Sequence, residues 1–498
     1  MKHFRFPEAC RKPGFILTLL LVTFFLKGVF LAALYPIFGG QDEARHYSGV
    51  QYLAEPDSVR TDINKDPRPN DNTLWEKDNF DSYNFSEEIQ KTAQATDTGI
   101  LRGDIFNTIG FVQGQSGKNE ALVDSKVWQP YNHYSQPDIA SAQSSLYHRL
   151  ASFIEKFLAD QSILVRFYSI RILSVLLGTF AVFLAYRIAR TIGFAAKHAL
   201  ILAAIVAFQP KFSSYFTNIN YDVLLIPMFF LFTYAGVLIL KRGLDWKNAA
   251  LLVLPMTVAI LTKATGYILV IVFLSLAAYL LHERIRAKSH DFRNRSYAGA
   301  ALVAIFAFYS LYSRFLDSTH PLGETIGSIG DYVSRTITFG RFVMPSDTYW
   351  GTLSWVHSFV IAHTADFLLI IELAAVIGLV MYFRLSGLAN KSPDFLPKKK
   401  YVLFLIGMVV ALELGIRVAD WHVFSGSGSM KYSLGTPGRY FLPNIEAQII
   451  LIATGLGALL HHFKKERYFE PTLITGLILM ISLNLYLVFD VIILRFYL

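Results

Sequence analysis

Asp42 and Glu43 are adjacent carboxylates in the run GGQDEARHYSGVQYLAEP. If a helix begins there, Asp42 and His46 lie one turn apart on the same face. A carboxylate so placed can take a proton from a hydroxyl and act as a general base. The competing reading is structural: an acidic pair in the first turn of a helix caps it and meets the positive end of its dipole. A metal site is the weakest reading, because two ligands one turn apart are unspecific.

Five further stretches carry polar residues in an otherwise apolar chain. SQPDIASAQSSLYHRL holds His148 and Arg149, FQPKFSSYFTNINYD holds Asn218, Asn220 and Asp222, and LTKATGY holds Lys263. YWGTLSWVH holds Trp350 and Trp355, and GTPGRYFLPN holds Arg439 and Tyr440. Arg offers two-pronged recognition of a phosphate and Lys a point charge. Snorkelling toward the membrane surface is the alternative for both Lys263 and Arg439. Arg341 and Lys431 are further cations of this kind. Asn218, Asn220 and Asp222 suit either sugar hydroxyls or a helix cap. His148 and Arg149 either face the acidic pair or form a solvated helix face. Trp350 and Trp355 suit stacking on a sugar ring, with an interfacial aromatic belt as the simpler reading. The sequence has no Walker motif, Rossmann glycine pattern or Cys/His zinc spacing.

What must position these residues is a membrane-embedded helical scaffold. Of 498 residues, 53% are apolar and 17% charged, against about 25% charge in a soluble domain. That composition excludes disorder, and the single cysteine, Cys10, excludes an internal disulfide. About eleven segments are long and apolar enough to span a bilayer. They lie near 14–37, 163–186, 198–215, 220–240, 248–262, 265–282, 297–315, 365–384, 401–418, 440–460 and 471–494. The first runs too long for a cleaved signal peptide and is read as a retained span. With the N-terminus inside, the short inner segments hold about 22 Lys and Arg and the short outer ones about five. This bias predicts a cytoplasmic N-terminus and sets the net charge of +9 against anionic inner-leaflet lipid. Two long outer segments remain, and SLYHRLASFIEKFL in the first has the apolar spacing of an amphipathic helix lying on the membrane. All six polar stretches then fall at the outer ends of spans, which predicts a site at the outer interface. Arg166 and Arg171 in span two, and Glu413 and Arg417 in span nine, are read as packing pairs outside that site.

The ordered set of motifs resembles the GT-C superfamily of membrane glycosyltransferases. It is most similar to a bacterial and archaeal group of multi-pass proteins with a DE-x-x-H motif after the first span. The residues that carry the likeness are Asp42-Glu43-x-x-His46, Leu146-Tyr147-His148, Asn218-x-Asn220-Tyr221-Asp222, Trp350-Gly351 with Trp355, and Gly438-Arg439-Tyr440-Phe441-Leu442-Pro443. Gln41 stands where the group often has Pro, Ser144 and Ser145 where it often has Pro-Pro, and His148 where it has Tyr.

The resemblance implies an all-α polytopic membrane protein with about eleven transmembrane helices. It divides the chain into a first span with its leader at 1–38, an extracytoplasmic loop with the catalytic motif at 39–162, and helices two to seven at 163–315. A second extracytoplasmic loop at 316–364 and helices eight to eleven at 365–498 follow. The implied activity is inverting transfer of a sugar from a polyprenyl phosphate to a glycan, lipid or protein acceptor at the extracytoplasmic face, with no nucleic-acid partner. Asp42 is the implied base, and Glu43 assists it or positions the acceptor. The implied substrate contacts are Arg45, His46, His148, Asn220, Asp222, Lys263, Trp350, Arg439 and Tyr440. Some members of the superfamily need a divalent metal and others do not, so the cofactor stays open. A lipid-linked glycan transporter is the main alternative, opposed by the lack of internal repeats and the scarcity of charge at span midplanes. A glycan ligase or polymerase would use similar chemistry.

Overall fold

A computed structural model describes residues 13–40, 42–54, 86–96, 116–123, 145–286, 330–334, 349–350, 364–388, 395–427 and 438–498. Described residues form helices and turns only. Helix α1 (Pro13–Leu34) starts with Pro at its first position, where no N–H is needed, and stops ahead of Pro36. At the same end of the bundle lie α2 (Glu43–Ala54), α3 (Glu87–Ala95) and α4 (Leu146–Phe157). The chain then continues through α5 (Ile163–Ile192), α6 (Ala196–Phe208), α7 (Pro210–Tyr215), α8 (Asp222–Arg242) and α9 (Trp246–Thr262). After a tight turn over Ala264–Tyr267 come α10 (Ile268–Arg286), α11 (Thr364–Leu388) and α12 (Lys399–Ser427). A 3₁₀ turn, Gly438–Asn444, leads into α13 (Ile445–His462), and α14 (Phe469–Tyr486) runs through a π-helical turn into α15 (Ile493–Tyr497).

Eight helical stretches among the described residues are long and apolar enough to cross a membrane, and α6 and α9 are shorter apolar helices. Helices therefore occupy ten of the expected segments, while the segment 297–315 lies outside the described residues, as do Arg341, Trp355 and Lys431. The third expected span, 198–215, proves to be broken. Pro210 has no N–H to continue α6, and Gln209 accepts the Phe212 N–H through its side chain, so α7 starts afresh. Helices α8 and α13 are the most deeply enclosed spans. The rim helices expose apolar side chains such as Leu19, Leu26 and Phe30 of α1 and Ile370, Leu373 and Val376 of α11, as lipid-facing surfaces do.

Helix α4 has the amphipathic character expected, with its polar side turned inward. Leu150, Phe153 and Phe157 are exposed, whereas His148, Ser152 and Glu155 are buried against the protein. The solvated-face reading of His148 is thereby excluded, and only Arg149 of that pair is exposed.

The bundle has two distinct ends. At one, Arg171 of α5 reaches the Ala32 and Pro36 carbonyls after α1, and Tyr497 Oη donates to the Leu34 carbonyl. At the other, Lys241 donates to the Thr191 carbonyl and Arg190 to the Phe194 carbonyl, in company with Lys400 on the Leu240 carbonyl. The basic turns of the sequence thus gather at the end opposite Asp42.

The closest helix crossing joins α11 to α13 through Gly378 and Gly455. A Cβ at Gly455 would collide with the Ala375 carbonyl, and one at Gly378 with the carbonyl of Gly455. Small residues let two backbones meet in lipid, where burial of apolar surface supplies no drive between helices. Gly455→Leu is expected to cost about 2–3 kcal/mol through overpacking. Gly407→Leu, at a position with open space, should leave the detergent-solubilised melting temperature unchanged.

Candidate active site at one end of the bundle

The site is built outward from Glu43. This carboxylate is fully buried and takes two parallel N–H donations from Arg171, Nε to Oε1 at 2.8 Å and Nη2 to Oε2 at 2.6 Å. Its remaining capacity is filled by the Gly40 N–H and the Ile219 N–H, each at 2.9 Å. Arg171 spends its other donors on carbonyls at the end of α1. One ion pair thereby ties together the end of α1, the start of α2, α5 and the turn before α8. Glu43 has no oxygen left for a substrate. The sequence left Arg171 outside the site; the signal for it was an arginine eight residues into an apolar span, where charge is costly without a built partner.

Asp42 sits at the turn into α2 with φ at 56°, in the left-handed region that Asp tolerates better than most residues. Its carbonyl accepts the His46 N–H at 3.0 Å, which closes the first turn. The side chain is left part-exposed and meets Arg439 Nη2 at 3.2 Å. Arg439 comes from the 3₁₀ turn before α13 and lies over the Tyr440 ring.

A second ion pair stands beside the first. Lys263 Nζ donates to Asp222 at 2.9 and 3.0 Å and lies between the rings of Tyr221 and Tyr440, 4.5 and 4.6 Å from their centroids. Burial opposes the Lys263 charge, but Asp222 and the two tyrosines outweigh it and carry its pKa above the ordinary value. Tyr215 Oη donates to Asp222 Oδ2 at 2.9 Å and feels the field of Arg439, which joins the two pairs. Asn220 accepts the Asp222 N–H and donates to the Tyr215 carbonyl, so it shapes the turn that presents Asp222. Asn218 is buried beside Gly40, with no hydrogen-bond partner for Oδ1 among the described residues. Neither Lys263 nor Arg439 snorkels: both turn inward.

Lys211, in the run FQPKFSSYFTNINYD, is a cation that residue type and spacing alone do not single out. It lies on α7, is buried, and faces Arg439. The signal available was a lysine directly after a Pro that breaks an apolar run.

His46 and His148 form a stacked pair, Nδ1 to Nε2 at 3.0 Å, against the edge of Tyr221. Burial holds both imidazoles well below their ordinary pKa; Arg439, Lys263 and Arg45 add to the effect on His46. Trp350, in contrast, gives its indole N–H to Glu372 of α11 at 2.9 Å and packs edge-on against Tyr349. Arg166 anchors the loop elements instead, binding Glu155 of α4 and Glu88 of α3. Glu413 and Arg417 pair along α12, as read from their spacing.

Among the described residues, no three His, Cys, Asp or Glu side chains come together in a way that would hold a metal ion. Among the described residues, the cluster holds Asp42 against Arg439 and Asp222 against Lys263, with Arg45 and the buried Lys211 close by. A surplus of cations in a secluded site suits an anionic ligand.

Comparison with known proteins bears on which anion. Residues 162–312 match the family model described as dolichyl-phosphate-mannose-protein mannosyltransferase. That segment is similar to a membrane glycosyltransferase family, and the match covers under half of the chain. The family acts with a lipid-linked sugar donor in general terms, in agreement with the resemblance carried by the motifs. The matched stretch contains Arg171, Lys211, Asn220, Asp222 and Lys263; Asp42 and Arg439 lie on either side of it. No curated protein and no solved structure matches the chain.

Two stability predictions follow from these contacts. Breaking the buried pair by Arg171→Met should cost about 3–5 kcal/mol, because it strands a buried carboxylate. Pairing it with Glu43→Gln should recover part of the loss, read as melting temperature in detergent. The histidine pair sets the second. Both rings are neutral in the folded protein, while unfolded His takes up a proton near pH 6.5. The unfolded chain binds more protons below that pH, so the stability these residues contribute is present above about 6.5 and is lost on acidification. His148→Gln should flatten the fall in melting temperature between about pH 6.5 and 5.

Proposed function

We propose that this protein is an inverting glycosyltransferase that moves a sugar from a polyprenyl-phosphate donor to an acceptor hydroxyl at the extracytoplasmic membrane face. The observation that carries the reading is the Asp42–Arg439 contact, a part-exposed carboxylate held beside a group of inward-facing cations. Asp42 takes the acceptor proton. The acceptor oxygen attacks the anomeric carbon from the side opposite the phosphate, and the bond from that carbon to the phosphate oxygen breaks. The electron pair leaves with the phosphate, which gains a second negative charge. Arg439, Lys263 and Lys211 are preorganised to meet that charge where it develops. A single displacement inverts the anomeric centre.

Glu43 positions Asp42 and does not touch the substrate. Asn218 offers an open acceptor for a sugar hydroxyl. The gathering of basic residues at the opposite end supports a cytoplasmic location for that end and an extracytoplasmic one for the site. The acceptor is a glycan, lipid or protein. A transporter would need its polar residues near the middle of the spans, whereas Asp42, Asp222, Lys263 and Arg439 lie at helix ends.

The test is transfer of radiolabelled sugar by purified protein from a panel of polyprenyl-phosphate donors, with a mannosyl donor first. Asp42→Asn should lower kcat by about 100-fold or more, the typical loss of a general base, with the melting temperature unchanged. Transfer that survives the substitution refutes Asp42 as the base. No transfer from any donor by the wild-type protein refutes the enzyme.

A further inference from the structure

The break between α6 and α7 leaves backbone groups without helical partners in the buried interior, where each must find another partner. Three carbonyls at the break have donors. The Phe208 carbonyl takes the Asn484 side-chain amide from α14, and the Val206 carbonyl takes the Gln209 N–H at 3.3 Å. The Ala207 carbonyl takes Ser213 Oγ at 2.9 Å and, at 2.6 Å, the ammonium of Lys27 from α1. Lys27 also donates to Ser213 Oγ at 2.7 Å and lies over the rings of Phe208 and Phe24, 4.4 and 5.3 Å from their centroids. An ionisable group inside a span is expensive, and here its ammonium donates to the two ends of the break.

Helix α7 carries more than the break. Lys211 is its second residue and Ser213 its fourth, and Tyr215 at its end bonds Asp222. Lys27 therefore grips the same short helix that delivers Lys211 toward Arg439. It does so from α1, whose far end leads directly to Asp42 and Glu43.

We propose that Lys27 is a positioning residue for the lipid-phosphate site, pinning the broken helix so that Lys211 meets the phosphate. The proposal rests on the transferase reading above. Lys27 does not touch the substrate; it acts through α7. A plain packing residue would behave differently, because its loss would not depend on whether Lys211 is present.

The experiment is a double-mutant cycle on full-length protein in detergent, reading the Kd for a short-chain polyprenyl phosphate. Lys27→Met should keep the fold, since no carboxylate is left unpaired and the Ala207 carbonyl keeps the Ser213 hydroxyl. It should weaken binding by about tenfold, or roughly 1.4 kcal/mol. In a Lys211→Met background the same change should alter Kd by less than about twofold, because two residues acting through one element are not additive. Lys27→Arg should restore most of the affinity. If Lys27→Met does not fold, Ser213→Ala takes its place, with a smaller loss that again requires Lys211. Equal factors in both backgrounds, or no change in either, overturn the positioning role. A wild-type protein that does not bind the probe overturns the phosphate site, and with it the transferase reading on which this inference stands.

Discussion

The ion pair between Glu43 and Arg171 is the constraint on which the candidate site depends. A carboxylate and a guanidinium taken out of water cost several kcal/mol each unless every lone pair and N–H is answered. Here both are answered, by each other, by two backbone N–H groups and by the carbonyls that end α1. Three chain segments distant in sequence, around residues 32–43, Arg171 and Ile219, have to converge for this to happen. Asp42, one residue earlier, inherits a fixed position without sharing the burial. One carboxylate of the pair is spent on architecture, and the other is left facing Arg439.

The same division of labour recurs across the cluster. Asn220 shapes a turn so that Asp222 can hold Lys263, and Tyr215 links that pair to the field of Arg439. The two histidines remain neutral, so they add no charge to an already cationic site. Helices α8 and α13, the most enclosed spans, supply Asp222 and the turn bearing Arg439. The rim helices supply lipid-facing surface. Chemistry is concentrated where the backbone is best held, as preorganised electrostatics require.

Much of this was legible in the sequence. Lipid demands long apolar helices, so the spans could be read from hydropathy, and the polar runs between them marked the site end. Asp42, Asp222, Lys263 and Arg439 all stood out as charges at span ends. What was not legible depends on which side chains meet. Glu43 and Asp42 have the same chemistry and adjacent positions, and only the burial of Arg171 against one of them separates their roles. Lys211 and Lys27 were hidden because a helix break inside an apolar run is seen from Pro210 alone only as a kink, not as a turned segment. Trp350 gives its indole N–H to Glu372, a pairing no local pattern encodes.

The central claim is that the cations around Asp42 form the seat of a lipid-linked phosphate. The most direct measurement is an experimental structure of the full-length protein in lipid nanodiscs with a polyprenyl phosphate bound. The account predicts phosphate density within about 3 Å of Arg439 and Lys263, the reach of charge-assisted hydrogen bonds, with Lys211 alongside and the prenyl chain leaving between spans. Phosphate density at the opposite, basic end of the bundle, with the Asp42 cluster empty, would contradict it.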